Sequence, residues 1–363
     1  MQPRQACSLI AIGMLVIACG DSGTDTGGAG GQPTGGAGGQ PLGGAGGLGA
    51  GGMGGNLEGG GGSGGAPEML APMGLARAIG AAALCTDDYV RIVGGLTPQG
   101  VERSVEAYDP VSNTWDMGVL GSAARYGHAV VATSGSELVA FGGTTDGMNP
   151  IASVEQYDTV NDSWSNLPAL PTARLGLGAA RAPDGRIFVI GGRGANGLPS
   201  NVVEILDDVA WSTGTPMPTA RLALQVVAAP DGRIYAIGGR DAANNPLPTV
   251  ESLDPVAGTW RTEPSLQDGR YWFGAAVGGD GRIHVMGGIT GFGFSDLAES
   301  FAPGDSAWTS DANMPEARAW LAAAALPDGR VVVLGGSPAG PQPQPPPVAT
   351  LIAYNPVTNS WSF

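Results

Sequence analysis

The chain has 363 residues, enough for one large domain or two ordinary ones, and carries 64 Gly, 29 Pro and a net charge of -15. All 17 basic side chains are Arg, which excludes Schiff-base lysines, Walker-type phosphate lysines and Ser-Lys dyads. The acidic balance argues against nucleic acid and anionic lipid as partners.

Arg4 precedes an apolar stretch from Leu9 to Ala18, too short to cross a bilayer and suited to the hydrophobic region of a secretory signal. It ends Val16-Ile17-Ala18-Cys19. That string resembles the lipobox of bacterial lipoproteins. The resemblance implies residues 1–18 as a signal peptide, cleavage before Cys19 and diacylation of its sulfur. Gly20 separates Cys19 from Asp21, so no inner-membrane retention signal is visible by analogy. An outer-membrane lipoprotein, facing the periplasm or the exterior, is expected.

Residues 19–65 hold the lipidated cysteine and a glycine-rich linker, in which Gly-Gly-Ala-Gly-Gly-Gln-Pro occurs at 27–33 and again at 35–41. Such a segment has no apolar surface to offset the entropy of ordering its backbone, so a disordered tether is predicted. A Gly-rich coil of about 45 residues has an r.m.s. span of roughly 35–40 Å. The strings Gly61-Gly62-Ser63-Gly64-Gly65 and Gly44…Gly46…Gly49 fit catalytic and dinucleotide patterns. Neither has the strand before it or the helix after it that those patterns need.

From residue 66 to 363 the chain repeats. A Gly-Gly pair closes an apolar run at Gly94, Gly142, Gly191, Gly238, Gly287 and Gly335, at intervals of 47–49 residues. After each pair come a variable loop, a Val-Glu-x-Tyr-Asp-like strand and a tryptophan: Trp115, Trp164, Trp211, Trp260, Trp308 or Trp361. The position of the tyrosine is Tyr108, Tyr157, Leu206, Leu253, Phe301 and Tyr354, large and apolar throughout. Asp-Gly pairs at Asp184, Asp231, Asp280 and Asp328 mark hairpins.

This glycine, tyrosine and tryptophan spacing resembles the Kelch repeat, whose period is about 50 residues. The resemblance implies an all-β, six-bladed Kelch-type β-propeller with four antiparallel strands per blade. The repeats run roughly 76–120, 121–170, 171–218, 219–266, 267–315 and 316–363. The chain begins at a first strand and stops after Trp361, so blades one and six are expected to join by packing alone.

Six arginines open the innermost strands: Arg77, Arg125, Arg174, Arg221, Arg270 and Arg318. They are expected to ring the mouth of the central channel. Five blades place a glutamate two residues before the tyrosine position, Glu106, Glu155, Glu204, Glu251 and Glu299, whereas blade six has Ile352. Two readings are open. The arginines pair with the glutamates blade by blade, as buried charges must, or some of them face the channel and bind an anionic ligand. Arg318, without its glutamate, is the first candidate for the second reading.

Trp272 and Trp320 are the two tryptophans outside the repeat position and share one slot in blades five and six. Phe292 and Phe294 lie in the glycine-flanked loop of blade five. Aromatic faces beside arginine suit a peptide- or sugar-binding surface, and equally the filling of a gap between blades. His284 stands where other blades have Phe188 and Tyr235, a core slot, and Cys85 follows an apolar run. No metal or cofactor motif is present, and none is expected to bind. The segment 341–347 is an extended polyproline-like projection.

The leading expectation is a monomeric, membrane-anchored binding protein whose loop face engages a protein or polysaccharide. The alternative implied by the resemblance is a periplasmic enzyme, a mutarotase of sialic-acid-like sugar acids or another carbohydrate-active Kelch enzyme. Such an enzyme would need a deep channel lined by Arg318 and a perturbed carboxylate or His128.

Overall fold

The computed structural model describes residues 69–121, 123–133, 135–340 and 345–363. The expected signal peptide, Cys19, the expected tether and residues 341–344 lie outside them. The unit from Pro67 to Phe363 is a six-bladed β-propeller of four-stranded antiparallel blades, and no helix occurs among the described residues.

Blade three shows how the sequence makes a blade. Gly178–Arg181 pairs with Ile187–Ile190, then Val203–Asp207, then Ala210–Thr213. The first hairpin turns through Pro183-Asp184-Gly185, with Gly185 at φ +98°. Ala182 N–H bonds Arg186 C=O at 2.8 Å across it, a three-residue loop with its glycine in the left-handed position. The second strand is buried along its whole length because neighbouring blades cover both faces. The first strands are built from small residues, as in Gly274–Val277 and Ala322–Ala325. Near the axis there is little room: a Cβ on Gly274 would overlap Leu321.

The core is divided into wedges between blades. Ile190 and Phe188 of blade three pack with Ile234 and Leu253 of blade four, and Tyr235 and Ile237 of blade four with Phe301 and Val285 of blade five. Each repeat tryptophan closes its wedge with a hydrogen bond to the linker entering its blade. Trp164 donates to Val119 C=O, Trp211 to Pro168, Trp260 to Thr215, Trp308 to Pro264 and Trp361 to Ala312, at 2.8–3.1 Å.

The double glycines join one blade to the next. Gly239 N–H, in blade four, donates to the carbonyl of Arg270 in blade five at 2.8 Å. Its partner Gly238 sits at φ +56°, where a Cβ would press on that carbonyl and on Phe273. Both glycines are required there, each by its positive φ, +97° at Gly239, and by close approach.

Closure differs from the expectation of packing alone. Blades one and six do share a wedge, with Val90, Ile92 and Tyr108 against Val332, Leu334 and Leu351. Residues 69–79 also lie along blade six as a strap. Leu70 N–H donates to Phe363 C=O, Met73 to Ala349 at 2.9 Å and Gly336 to Arg77 C=O at 2.9 Å. Trp115 donates to Ala71 C=O at 2.8 Å. Leu170, Met217, Leu266 and Met314 make the same bond as Met73 in the linkers leaving blades two to five. The strap therefore takes the place of a linker leaving blade six, and the seam has the bonds of every other junction.

Candidate ligand-binding face

The six blade-opening arginines are buried, and their guanidinium groups are engaged inside the blades. Arg77 pairs with Glu106 and Arg125 with Glu155. Arg174 reaches Glu204 at 2.6 Å, Arg221 Glu251 at 2.9 Å and Arg270 Glu299 at 2.7 Å. Every one of the six also donates through Nη1 to the carbonyl of the first glycine in its own blade's pair, at 2.7–3.3 Å. Burial lowers the pKa of Arg174 and raises that of Glu299, the desolvation cost that pairing offsets.

This geometry corrects two expectations. None of the six arginines is among the residues lining the channel; their side chains fasten the double-glycine turn instead. Arg318 is not left over either, because Glu316 from its own linker pairs with it in place of the missing partner at Ile352. A glutamate two residues before the arginine was the sequence signal for that pairing.

What rings the channel mouth is the residue two positions after each arginine: Ile79, Gly127, Gly176, Ala223, Trp272 and Trp320. All six lie at φ between +52° and +63°. Their backbones form a closed circuit. Gly127 N–H donates to Ile79 C=O, Gly176 to Gly127, Ala223 to Gly176, Trp272 to Ala223, Trp320 to Trp272 and Ile79 to Trp320, at 2.7–3.1 Å. Left-handed backbone costs a residue with a Cβ on the order of 1 kcal/mol. Ile79, Ala223, Trp272 and Trp320 are held there by the circuit.

Trp272 lies across the mouth. Its Cη2 is 3.4 Å from where a Cβ on Gly127 would stand and 3.3 Å from one on Gly176, so the indole of blade five reaches the side of blades two and three. The two glycines leave it room. Beneath it the channel holds about 120 Å³, lined by small and apolar residues with His128 and Gln225, whose amide donates to Phe273 C=O at 2.7 Å. Trp320 is half-buried and meets Phe294 edge-on at 5.0 Å. Phe294 belongs to a two-stranded hairpin, Ile289–Thr290 with Gly293–Phe294, and Phe292 at its tip is 95% exposed. Trp272, Trp320 and Phe294 thus come together on the loop face, while Phe292 projects from it.

Sequence reasoning missed two residues on this face. Arg193 and Arg240 directly follow the double glycines of blades three and four. Among the described residues neither has a carboxylate partner within ion-pair distance. Arg240 stands 5.2 Å from the Tyr271 ring centroid. The available signal was the string Gly-Gly-Arg at 191–193 and again at 238–240.

Comparison with known proteins agrees with this architecture. Residues 80–288, more than half of the chain, match the KLHDC2/KLHL20/DRC7 Kelch-repeats domain family. The chain belongs to the Kelch-repeat family. It is 29% identical over 129 residues to Kelch-like protein 38 of Mus musculus, covering 34% of this chain and 22% of that protein. It is 38% identical over 106 residues to Kelch domain-containing protein 8B of Rattus norvegicus, covering 29% of each. The matches thus span less than a third of these curated Kelch relatives. The solved structure described as "Structure of YjhT" superposes with a TM-score of 0.67 at 16% identity, over 81% of this chain and 99% of that one. That likeness concerns the fold.

The two histidines depart from the Kelch pattern in opposite ways. His128 fills the slot of Leu177, Leu224 and Leu321, and neither ring nitrogen has a hydrogen-bond partner. Burial, with Arg125 and Arg77 nearby, pushes its pKa down to about 3. His284 is equally buried but bonded on both nitrogens, to Asp311 at 3.0 Å and Asp280 at 3.1 Å. Burial opposes its charge, yet the two aspartates outweigh that and hold its pKa above the ordinary value. Cys85 is buried, which raises its thiol pKa.

Proposed function

We propose that this Kelch-repeat protein is an envelope lipoprotein, anchored through Cys19, whose loop face engages a protein partner. The observation that carries the reading is the aromatic surface around the mouth, Trp272, Trp320 and Phe294, with Phe292 projecting 95% exposed. A contiguous apolar and aromatic surface on loops held by a rigid scaffold is suited to protein contact. Channel chemistry finds less support: Trp272 covers the mouth and the six arginines are tied into the blades.

The test uses photo-crosslinking in cells, with a probe residue introduced beside the hairpin. Phe292→Asp is expected to abolish the crosslinked partner, and Val256→Asp, on the opposite face and 85% exposed, to leave it intact. The reverse pattern would overturn the loop-face reading. For the anchor, Cys19→Ala should abolish metabolic labelling with palmitate; a Cys19→Ala protein still labelled and membrane-bound would refute it.

A further inference from the structure

His284 lies on the second strand of blade five, Ile283–Met286, in a slot that holds Phe188 in blade three, Tyr235 in blade four and Val332 in blade six. Its buried ring stands in the wedge between blades five and six, 5.3 Å from the ring of Tyr354. Nδ1 is 3.0 Å from Asp311 Oδ2, and Nε2 is 3.1 Å from Asp280 Oδ1. An ionised carboxylate only accepts, and a neutral imidazole has one N–H to give. A carboxylate on each nitrogen therefore calls for the imidazolium. With a single proton, one nitrogen lone pair would face a carboxylate oxygen away from water, which is costly.

The two aspartates lead to blade six by separate routes. Asp280 belongs to the Asp-Gly hairpin of blade five, where Gly279 N–H donates to Gly329 C=O in the hairpin of blade six at 2.9 Å. Asp311 starts the linker from blade five to blade six, and its Oδ1 accepts from Ser300 Oγ at 3.0 Å. The next residue, Ala312, is bonded to blade six through both backbone groups. Its N–H donates to Asn359 Oδ1 at 2.6 Å, and its C=O accepts from Trp361 at 2.8 Å. Through Asp311, His284 thus pins the segment on which the outer strand of blade six is hung.

The other titratable groups on the elements packed around the ring have partners of their own. Tyr354 donates to Asn359 Oδ1 at 2.9 Å, and burial together with Asp311 raises the pKa of its phenol. Arg282 is engaged by Ser300 at 3.1 Å and Asp305 at 2.9 Å. Glu299, on the next strand, is taken by Arg270 at 2.7 Å, and Asp328 of blade six by Arg330 at 2.7 Å.

We propose that His284 is a pH-sensitive clasp, which as imidazolium holds the linker and outer strand of blade six to blade five and releases them when it loses its proton. The native pKa lies above the ordinary value, so the clasp is fully closed below about pH 6.5 and opens as pH rises through the native pKa. It does not depend on what the loop face binds.

The chain has two histidines, so NMR of the full chain in detergent, labelled at histidine, can follow each of them, with His284→Phe assigning the signal. The His284 midpoint is expected above about 6.5, and Asp311→Asn and Asp280→Asn should each lower it. Hydrogen exchange, corrected for the intrinsic effect of pH, reads the opening. In segments 311–314 and 355–363 it should accelerate across the midpoint, in total by about tenfold for each unit by which the midpoint exceeds that of an unfolded histidine. His284→Phe should abolish the acceleration, and blade three should not share it. A midpoint at or below about 6.5, or one that neither aspartate substitution moves, would overturn the proposal. So would exchange in blade six that stays flat across the midpoint, or that rises equally in blade three. If His284→Phe does not fold, the wild-type titration and exchange with the two Asn variants still decide.

Discussion

Arg221 and Arg240 belong to the same blade, one opening its first strand and the other following the glycine pair that ends its second. Arg221 is enclosed by Glu251 and by the carbonyls of Ala236, Gly238 and Thr249, and five other blades place an arginine at the same slot. Arg240 has an amide oxygen and an aromatic face, and among the described residues no carboxylate within ion-pair distance. The first arrangement recurs around the ring and holds the fold together. The second occurs twice and holds loops rather than blades: Arg193 bonds the carbonyls of Gly147 and Met148, and Arg240 bonds Asn244 in its own loop.

Substitutions can break this contrast. Arg221→Ala leaves Glu251 buried without its partner and should lower the unfolding free energy by about 3–5 kcal/mol, read by chemical denaturation. A loss below 1 kcal/mol would show that the arginines are not the fasteners described above. His128→Leu restores the residue of blades three, four and six and removes two unsatisfied ring nitrogens; a gain of about 1–3 kcal/mol is expected at pH 7. The gain should widen on acidification. The unfolded histidine takes a proton near pH 6.5 and the native one only near pH 3, so wild-type stability falls as pH drops between those values, by about 3 kcal/mol at pH 4. A difference between the two proteins that stays flat from pH 7 to pH 4 would place that histidine elsewhere. Arg240→Gln should move stability by less than about 0.5 kcal/mol, the smallest change of the three. A large loss would place Arg240 with the arginines that fasten the blades.

The propeller itself was legible in the sequence because its strongest constraints repeat: positive φ at the glycine pair, a wedge-filling tryptophan and a paired charge. The Trp272 and Trp320 slot was also visible, as a departure from the repeat, but not its consequence. Nothing local announces that Gly127 and Gly176, from other blades, make room for one indole, since that contact spans the channel. The circuit of hydrogen bonds at the mouth was hidden for a related reason. It is made by backbone atoms, and the residues holding its left-handed positions range from glycine to tryptophan. Arg193 and Arg240 were not marked by the repeat, because the residue after the glycine pair varies from blade to blade, Leu96, Thr144, Ile289 and Ser337 elsewhere.

The strap over the seam sets the order in which the molecule can be completed. Residues 69–79 leave the ribosome ahead of every blade, yet the groups that satisfy them, Trp320, Val348, Ala349 and Phe363, belong to blade six. Loop-closure entropy for such a pairing is large, and contacts this distant in sequence form late. Five wedges can assemble one after another as the chain lengthens. The sixth waits for blade six, and until then blade one keeps an open apolar flank of Val90, Ile92 and Tyr108 that a nascent chain must protect.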